Sequence, residues 1–124
     1  MLNHLRQHIV TTLAPARSAT LATSGPAGLQ AQVAPCVASG IQLYMLLPRT
    51  SDHLLNLEHD PAVVVTTAEW QVFGRARVVQ EVEQIAALLD TPDAPWSVVI
   101  VVQPSRVAIT QRTGWGATET IDLE

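Results

Sequence analysis

The chain contains one cysteine, Cys36, and no lysine at all. A single thiol excludes an internal disulfide and any multi-cysteine zinc or iron–sulfur site. Its ordinary role is that of a small hydrophobe in a strand. Without lysine there is neither a Schiff-base intermediate nor the lysine of a phosphate-binding loop. The seven basic residues are all arginine, scattered along a chain of net charge −4. A nucleic-acid surface needs clustered positive charge, so that class of partner is excluded. No apolar run approaches the ~20 residues of a membrane span. The N-terminus lacks the apolar stretch of an export signal, and a cytoplasmic protein is expected. Charged residues make up only 15% and apolar ones 48% of 124 residues. That balance suits one domain with a sizeable core and does not suit disorder.

Leu2, Leu5, Ile9 and Leu13 recur at helical spacing until Ala14-Pro15 stops them, which predicts an amphipathic helix. His4 and His8 fall on its opposite side; a zinc site would need a third protein ligand, and none is evident. Strands are predicted over 17–24, 29–37 and 41–47, joined by turns at Gly25-Pro26-Ala27-Gly28 and Ser39-Gly40. Pro35 implies an edge or a bulge in the second of them. Pro48 ends the third, and Thr50 or Ser51 caps a short helix through Leu54, Leu55 and Leu57, closed by Asp60-Pro61. Strands follow over 62–68 and 70–79. In the latter, Val72, Gly74, Ala76 and Val78 alternate with Gln71, Phe73, Arg75 and Arg77. The small Gly74 and Ala76 predict a close approach of something to their face. Val82, Ile85, Leu88 and Leu89 mark a second amphipathic helix, and 91–95 a loop. Strands over 96–102 and 106–111 are separated by a bend at Pro104-Ser105. Roughly six strands in so short a chain predict a small closed or partly closed barrel. The apolar run Val98–Val102 looks too large for one chain to cover, which predicts a homodimer with part of that run at the interface.

Five pieces in order carry a resemblance. They are Ala19-Thr20-Leu21-Ala22-Thr23; the Gly28 turn; Leu43-Tyr44; Ser51 to Pro61 with its Asn56-Leu57 and Asp60-Pro61; and Val72-Phe73-Gly74-Arg75-Ala76. Across nearly the whole chain they resemble the pyridoxamine-phosphate-oxidase-like, FMN-binding split β-barrels. The resemblance implies a mainly β fold, a six-stranded antiparallel split barrel with peripheral helices. It would be one domain over 1–124, with an N-terminal helix at 1–14 and a C-terminal tail at 113–124. It further implies a homodimer holding FMN in clefts at the subunit interface, and a flavin-dependent oxidoreductase of unknown substrate. Some relatives take the deazaflavin F420 or haem instead. The alternative is a flavin-free dimer that binds another small molecule or serves a structural role. Pyridoxamine-phosphate oxidase activity itself is not expected, because basic residues for a second phosphate are missing.

In flavin-binding relatives the turn after the third strand and the following helix start hold the phosphate. Here that segment is Arg49-Thr50-Ser51-Asp52-His53. Arg49, Thr50, Ser51 and His53 are the expected phosphate ligands, for a helix start offers free N–H groups and arginine adds charge. Asp52 and His53 stand where the oxidases place a basic pair; Asp52 satisfies the helix dipole and opposes a phosphate dianion. The second strand carries no basic residue, so Arg75, Arg77 or a partner's Arg112 are the candidates to compensate. Trp70 and Trp115 are the indoles available for stacking on a flavin. Trp115, between Gly114 and Gly116 in the tail, is the one assigned to the cofactor. No catalytic constellation is evident; Glu81 and Glu83 read as dipole partners at a helix start.

Overall fold

Alternation along the strands sorts this sequence into an inside and an outside, and the sheet closes on the inside. The computed structural model describes residues 2–79, 96–110 and 118–123. The expected helix around 82–89, the loop at 91–95, Glu81, Glu83, Arg112 and Trp115 lie outside the described residues. The elements are α1 (Leu2–Leu13), β1 (Ser18–Thr23), β2 (Gln30–Ser39), β3 (Gln42–Pro48), α2 (Asp52–His59), β4 (Ala62–Thr66), β5 (Trp70–Val78), β6 (Ser97–Thr110) and β7 (Thr118–Asp122). The strand order is β3-β2-β1-β4-β5-β6-β7, every pairing is antiparallel, and β3 also pairs with β6. That last ladder, Leu43 to Pro48 against Val102 to Ser97, closes six strands into a barrel. The split β-barrel expected from the sequence is the fold observed.

Leu21, Leu43, Met45, Val65, Val72, Ile100, Val102 and Val107 are fully buried and point into the barrel. Ile9 and Leu13 carry the apolar face of α1 into the same core. Each large side chain so buried contributes about 1.5–3 kcal/mol. Trp70 also belongs to this core rather than to a ligand face.

Pro35 marks a change of partner. Residues 30–35 of β2 pair with β1, and Cys36–Ser39 pair with β3. Proline has no N–H to offer a ladder, so it suits the point where the strand leaves one neighbour for the next. The Cys36 N–H donates to the Arg17 carbonyl at 2.9 Å.

Two expectations are corrected, and a third gains its partner. The strands foreseen at 96–102 and 106–111 are one strand, β6, with a bulge in place of a bend. Ser105 is the extra residue between the pairs Phe73↔Arg106 and Gly74↔Pro104. What approaches Gly74 closely is β6 itself: a Cβ there would lie 2.4 Å from the Gln103 carbonyl oxygen. The Val98–Val102 run is buried within its own chain from Val99 on, with Val98 half-buried. Ile100 and Val102 face the barrel, while Val99 and Val101 join Leu46 and Val79 in a second buried cluster on the outer side. The tail adds a seventh strand, because 118–122 pairs along 106–110 of β6.

Candidate functional site

Pro48 ends β3 opposite Ser97, and the chain turns into α2 through three residues. The Ser51 N–H donates to the Pro48 carbonyl at 3.0 Å and the Leu54 N–H to the Ser51 carbonyl at 3.1 Å. Ser51 Oγ accepts the His53 N–H at 3.2 Å, so Ser51 is the N-cap of α2. The Arg49 N–H donates to the Trp96 carbonyl at 3.1 Å and ties this corner to the entry of β6. Arg49, Thr50 and Asp52 are exposed there, and Trp96 is 77% exposed. Arg49 makes no ion pair among the described residues.

His53 does not join them. Its side chain is 1% exposed and Nδ1 lies 2.7 Å from Thr23 Oγ1. Asn56, wholly buried one turn later, is the hub beside it. Its Nδ2 donates to Thr23 Oγ1 (3.1 Å) and to the Gly28 carbonyl (2.9 Å), while Oδ1 accepts the Ala27 N–H (2.9 Å). This network fastens α2 to the β1–β2 turn, whose Gly28 has φ 83°. A side chain at Gly25 would meet Asn56 Oδ1 at 2.9 Å. Thr23 Oγ1 accepts from Asn56 and shares a second hydrogen bond with His53 Nδ1. His53 Nε2 is buried with no hydrogen-bond partner among the described residues.

Burial pushes the His53 imidazole below the ordinary histidine value, with Asp52 partly opposing the shift. The unfolded chain therefore takes up this proton first as the pH drops. The stability held by neutral His53 is complete above the ordinary histidine range and is lost as pH falls through the lowered folded-state value. The urea midpoint is expected to decline from about pH 7.5 to about pH 5, and His53→Gln to flatten that decline. An equal slope in both proteins would remove His53 as its source.

The outer barrel face carries a cleft of about 540 Å³. Its floor is one cross-strand row, Ala22–Val64–Phe73. Leu29, 87% exposed, walls it on the β1–β2 side, and Arg75 and Asp60 stand at its rim. Arg75 is exposed and also borders a smaller cleft of about 380 Å³ together with Arg77. Arg106 is engaged instead, donating from Nε to Asp122 at 2.7 Å. His8 meets Glu119 at 3.4 Å. Among the described residues no three His, Cys, Asp or Glu side chains converge as metal ligands. Cys36 is buried, and burial raises its thiol above the ordinary value, which keeps it unreactive. No helix among the described residues is long and apolar enough to cross a membrane.

The structure thus brings Arg49, Thr50 and Ser51 to one corner and turns His53 inward. It places Arg75 and Arg77 on the outer face of β5. Trp96 and Asn56, which sequence reasoning did not assign to a site, are the additions. A run of apolar residues hides an exposed indole at its first position, and an Asn inside a short helix reads as solvated until its partners are known.

No family model matches the sequence, and no curated relative matches it. Solved structures do match. General stress protein 26 of Bacillus anthracis str. Sterne has a TM-score of 0.75 at 18% identity, over 97% of this chain and 99% of that one. A Clostridium acetobutylicum protein of the pyridoxinephosphate oxidase family, related to general stress protein 26 of B. subtilis, gives 0.69 at 9% identity, over 97% and 93%. An F420 reductase gives 0.64 at 20% identity, over 78% and 93%. At these identities the likeness establishes the fold.

Proposed function

We propose, for a chain with the split-barrel fold of the pyridoxamine-phosphate-oxidase-like proteins, that it binds FMN at the β3–α2 corner and acts as a homodimer. One observation carries this reading: Arg49, with no ion pair among the described residues, stands with two hydroxyl side chains and the exposed Trp96 where β3, α2 and β6 join. Arg49 supplies charge-assisted hydrogen bonds to a phosphate. Ser51 Oγ accepts the His53 N–H and keeps its own O–H to donate. Trp96 offers a flat apolar surface on which an isoalloxazine ring can stack. A bound flavin supplies the electron transfer, and the protein supplies position and electrostatics. His53 serves at one remove, holding α2 against β1 through Thr23. For the dimer, Leu29 and Val33 support the reading: they are 87% and 72% exposed on the β1–β2 side of the barrel.

A second reading, a flavin-free barrel taking another small molecule, is favoured by Asp52, exposed in the first turn of α2. It adds negative charge where a phosphate would lie. Titration separates the two. Quenching of FMN fluorescence is expected to show FMN bound about tenfold more tightly than riboflavin, since one phosphate contact of this kind is worth about 1.5–3 kcal/mol. Arg49→Ala should erase that preference, and light scattering should give twice the 13.4 kDa chain mass. Equal affinity for FMN and riboflavin would end the phosphate assignment, and no binding of either would leave the flavin-free reading.

A further inference from the structure

The outer cleft of β1, β4 and β5 shares no residue with the β3–α2 corner and has its own chemistry. Small residues line it: Ala22 pairs with Val64 across β1 and β4, Ala62 precedes Val64 by two residues on β4, and Gly74 adjoins Phe73. A volume of about 540 Å³ lies within the range of small-molecule sites, which runs from about 300 to 1,000 Å³. The polar groups around it are unequally occupied. Ser105 Oγ donates to the Phe73 carbonyl at 3.1 Å, and Asp60 Oδ1 accepts the Ala62 N–H at 3.0 Å. Arg75 and the Ser24 hydroxyl have no side-chain partner among the described residues. Arg75 pairs with Ala62 across the β4–β5 ladder, and Asp60 stands two residues before Ala62, so guanidinium and carboxylate share one end of the cleft. They are not within ion-pair distance of each other.

We propose that this cleft binds an apolar monocarboxylate, its ring or chain on the Ala22–Val64–Phe73 floor and its carboxylate on Arg75. The guanidinium fork matches a carboxylate with two parallel hydrogen bonds. Ser24 is a further donor beside it. Asp60 at the same rim limits the net positive charge there, which favours a monoanion over a phosphate dianion. The site therefore discriminates against the phosphate that the β3–α2 corner would take. It stands independently of the flavin reading.

The test uses the intact chain and three fluorescent probes, 2-naphthoate, 2-naphthamide and 2-naphthyl phosphate, titrated separately. Naphthoate is expected to bind about tenfold more tightly than either of the others, a difference of one charge-assisted contact. Arg75→Gln, at an exposed position, should reduce naphthoate to the level of naphthamide. Ala22→Phe fills the floor and should weaken all three, with the thermal midpoint of both variants monitored as the measure of folding. Arg49→Ala should leave naphthoate binding unchanged. The proposal is overturned by no naphthoate binding at low millimolar concentration, by unchanged affinity in Arg75→Gln, by tighter binding of the naphthyl phosphate, or by loss of binding in Arg49→Ala. Loss of naphthoate binding in Arg49→Ala would move the probe to the β3–α2 corner; the other outcomes do not bear on FMN, whose titration is read separately.

Discussion

Replacing Asn56 with alanine is expected to remove about 3 kcal/mol of stability, a large share of the 5–15 kcal/mol typical of a domain this size. The side chain is wholly buried and makes three hydrogen bonds, to the Ala27 N–H, the Gly28 carbonyl and Thr23 Oγ1. Alanine would strand all three partners. Thr23 is buried, and water cannot replace its lost donor; Gly28 is exposed and can recover part of its loss. Leaving a buried polar group unpaired costs roughly 1–3 kcal/mol, so the sum is set mainly by Thr23 and Ala27. Urea unfolding measures the loss, and hydrogen exchange locates it: the Ala27 amide should lose protection first. A loss under about 1 kcal/mol would mean that the turn does not depend on α2. Gly25→Ala probes the same contact from the other side, since its Cβ would press on Asn56 Oδ1. The two substitutions touch one interaction and should combine with less than additive effect.

Gly74→Ala should cost a similar amount for a different reason. The added Cβ would lie 2.4 Å from the Gln103 carbonyl oxygen and about as close as van der Waals radii forbid to two further backbone atoms, 3.0 and 3.1 Å away. Backbone in the middle of the β5–β6 ladder cannot move aside as a flexible side chain can. Overpacking of this kind costs about 1–3 kcal/mol, and the upper end applies where the obstacle is main chain. Gly40→Ala is the comparison. Its φ is +61° and none of the described residues lies within 4 Å of the added methyl group, so only the left-handed conformation is strained, at roughly 1–2 kcal/mol. Thermal unfolding should rank Gly74→Ala as the more damaging. The reverse order would mean that β6 does not crowd β5 at the Ser105 bulge.

Much of the fold was legible in the residue order. Apolar spacing located α1, turn signals bounded β1 and β3, period-two alternation located β5, and Asp60-Pro61 located the end of α2. Misreadings came where two segments meet. Pro104-Ser105 looked like a break because proline cannot donate to a ladder, yet the opposing glycine lets β6 pass through as a bulge. Gly74 and Ala76 predicted a close approach without naming what approaches, and at Gly74 it is β6. The Val98–Val102 run looked too large for one chain to cover, yet Val99 to Val102 are buried within it, in two separate clusters. At the site, Ser51 was identifiable as a cap because capping is a local property of neighbouring residues. His53 was not identifiable as a buried residue, because its environment is made by Thr23, thirty positions away.

By itself the sequence determined the kinds of residue available and their periodicity. Those suffice for a small antiparallel barrel, for the exclusion of lysine and disulfide chemistry, and for a capped helix after β3, since each depends on residues close along the chain. The tertiary structure alone decided which cations stay free, which polar groups are paired in the interior and where a cleft opens. Arg106 meets Asp122 while Arg75 borders the cleft over Ala22, Val64 and Phe73, and His53 lies inside while Arg49 lies out. Pairing and exposure are settled by strand register and barrel closure, and both join residues that the chain itself keeps far apart.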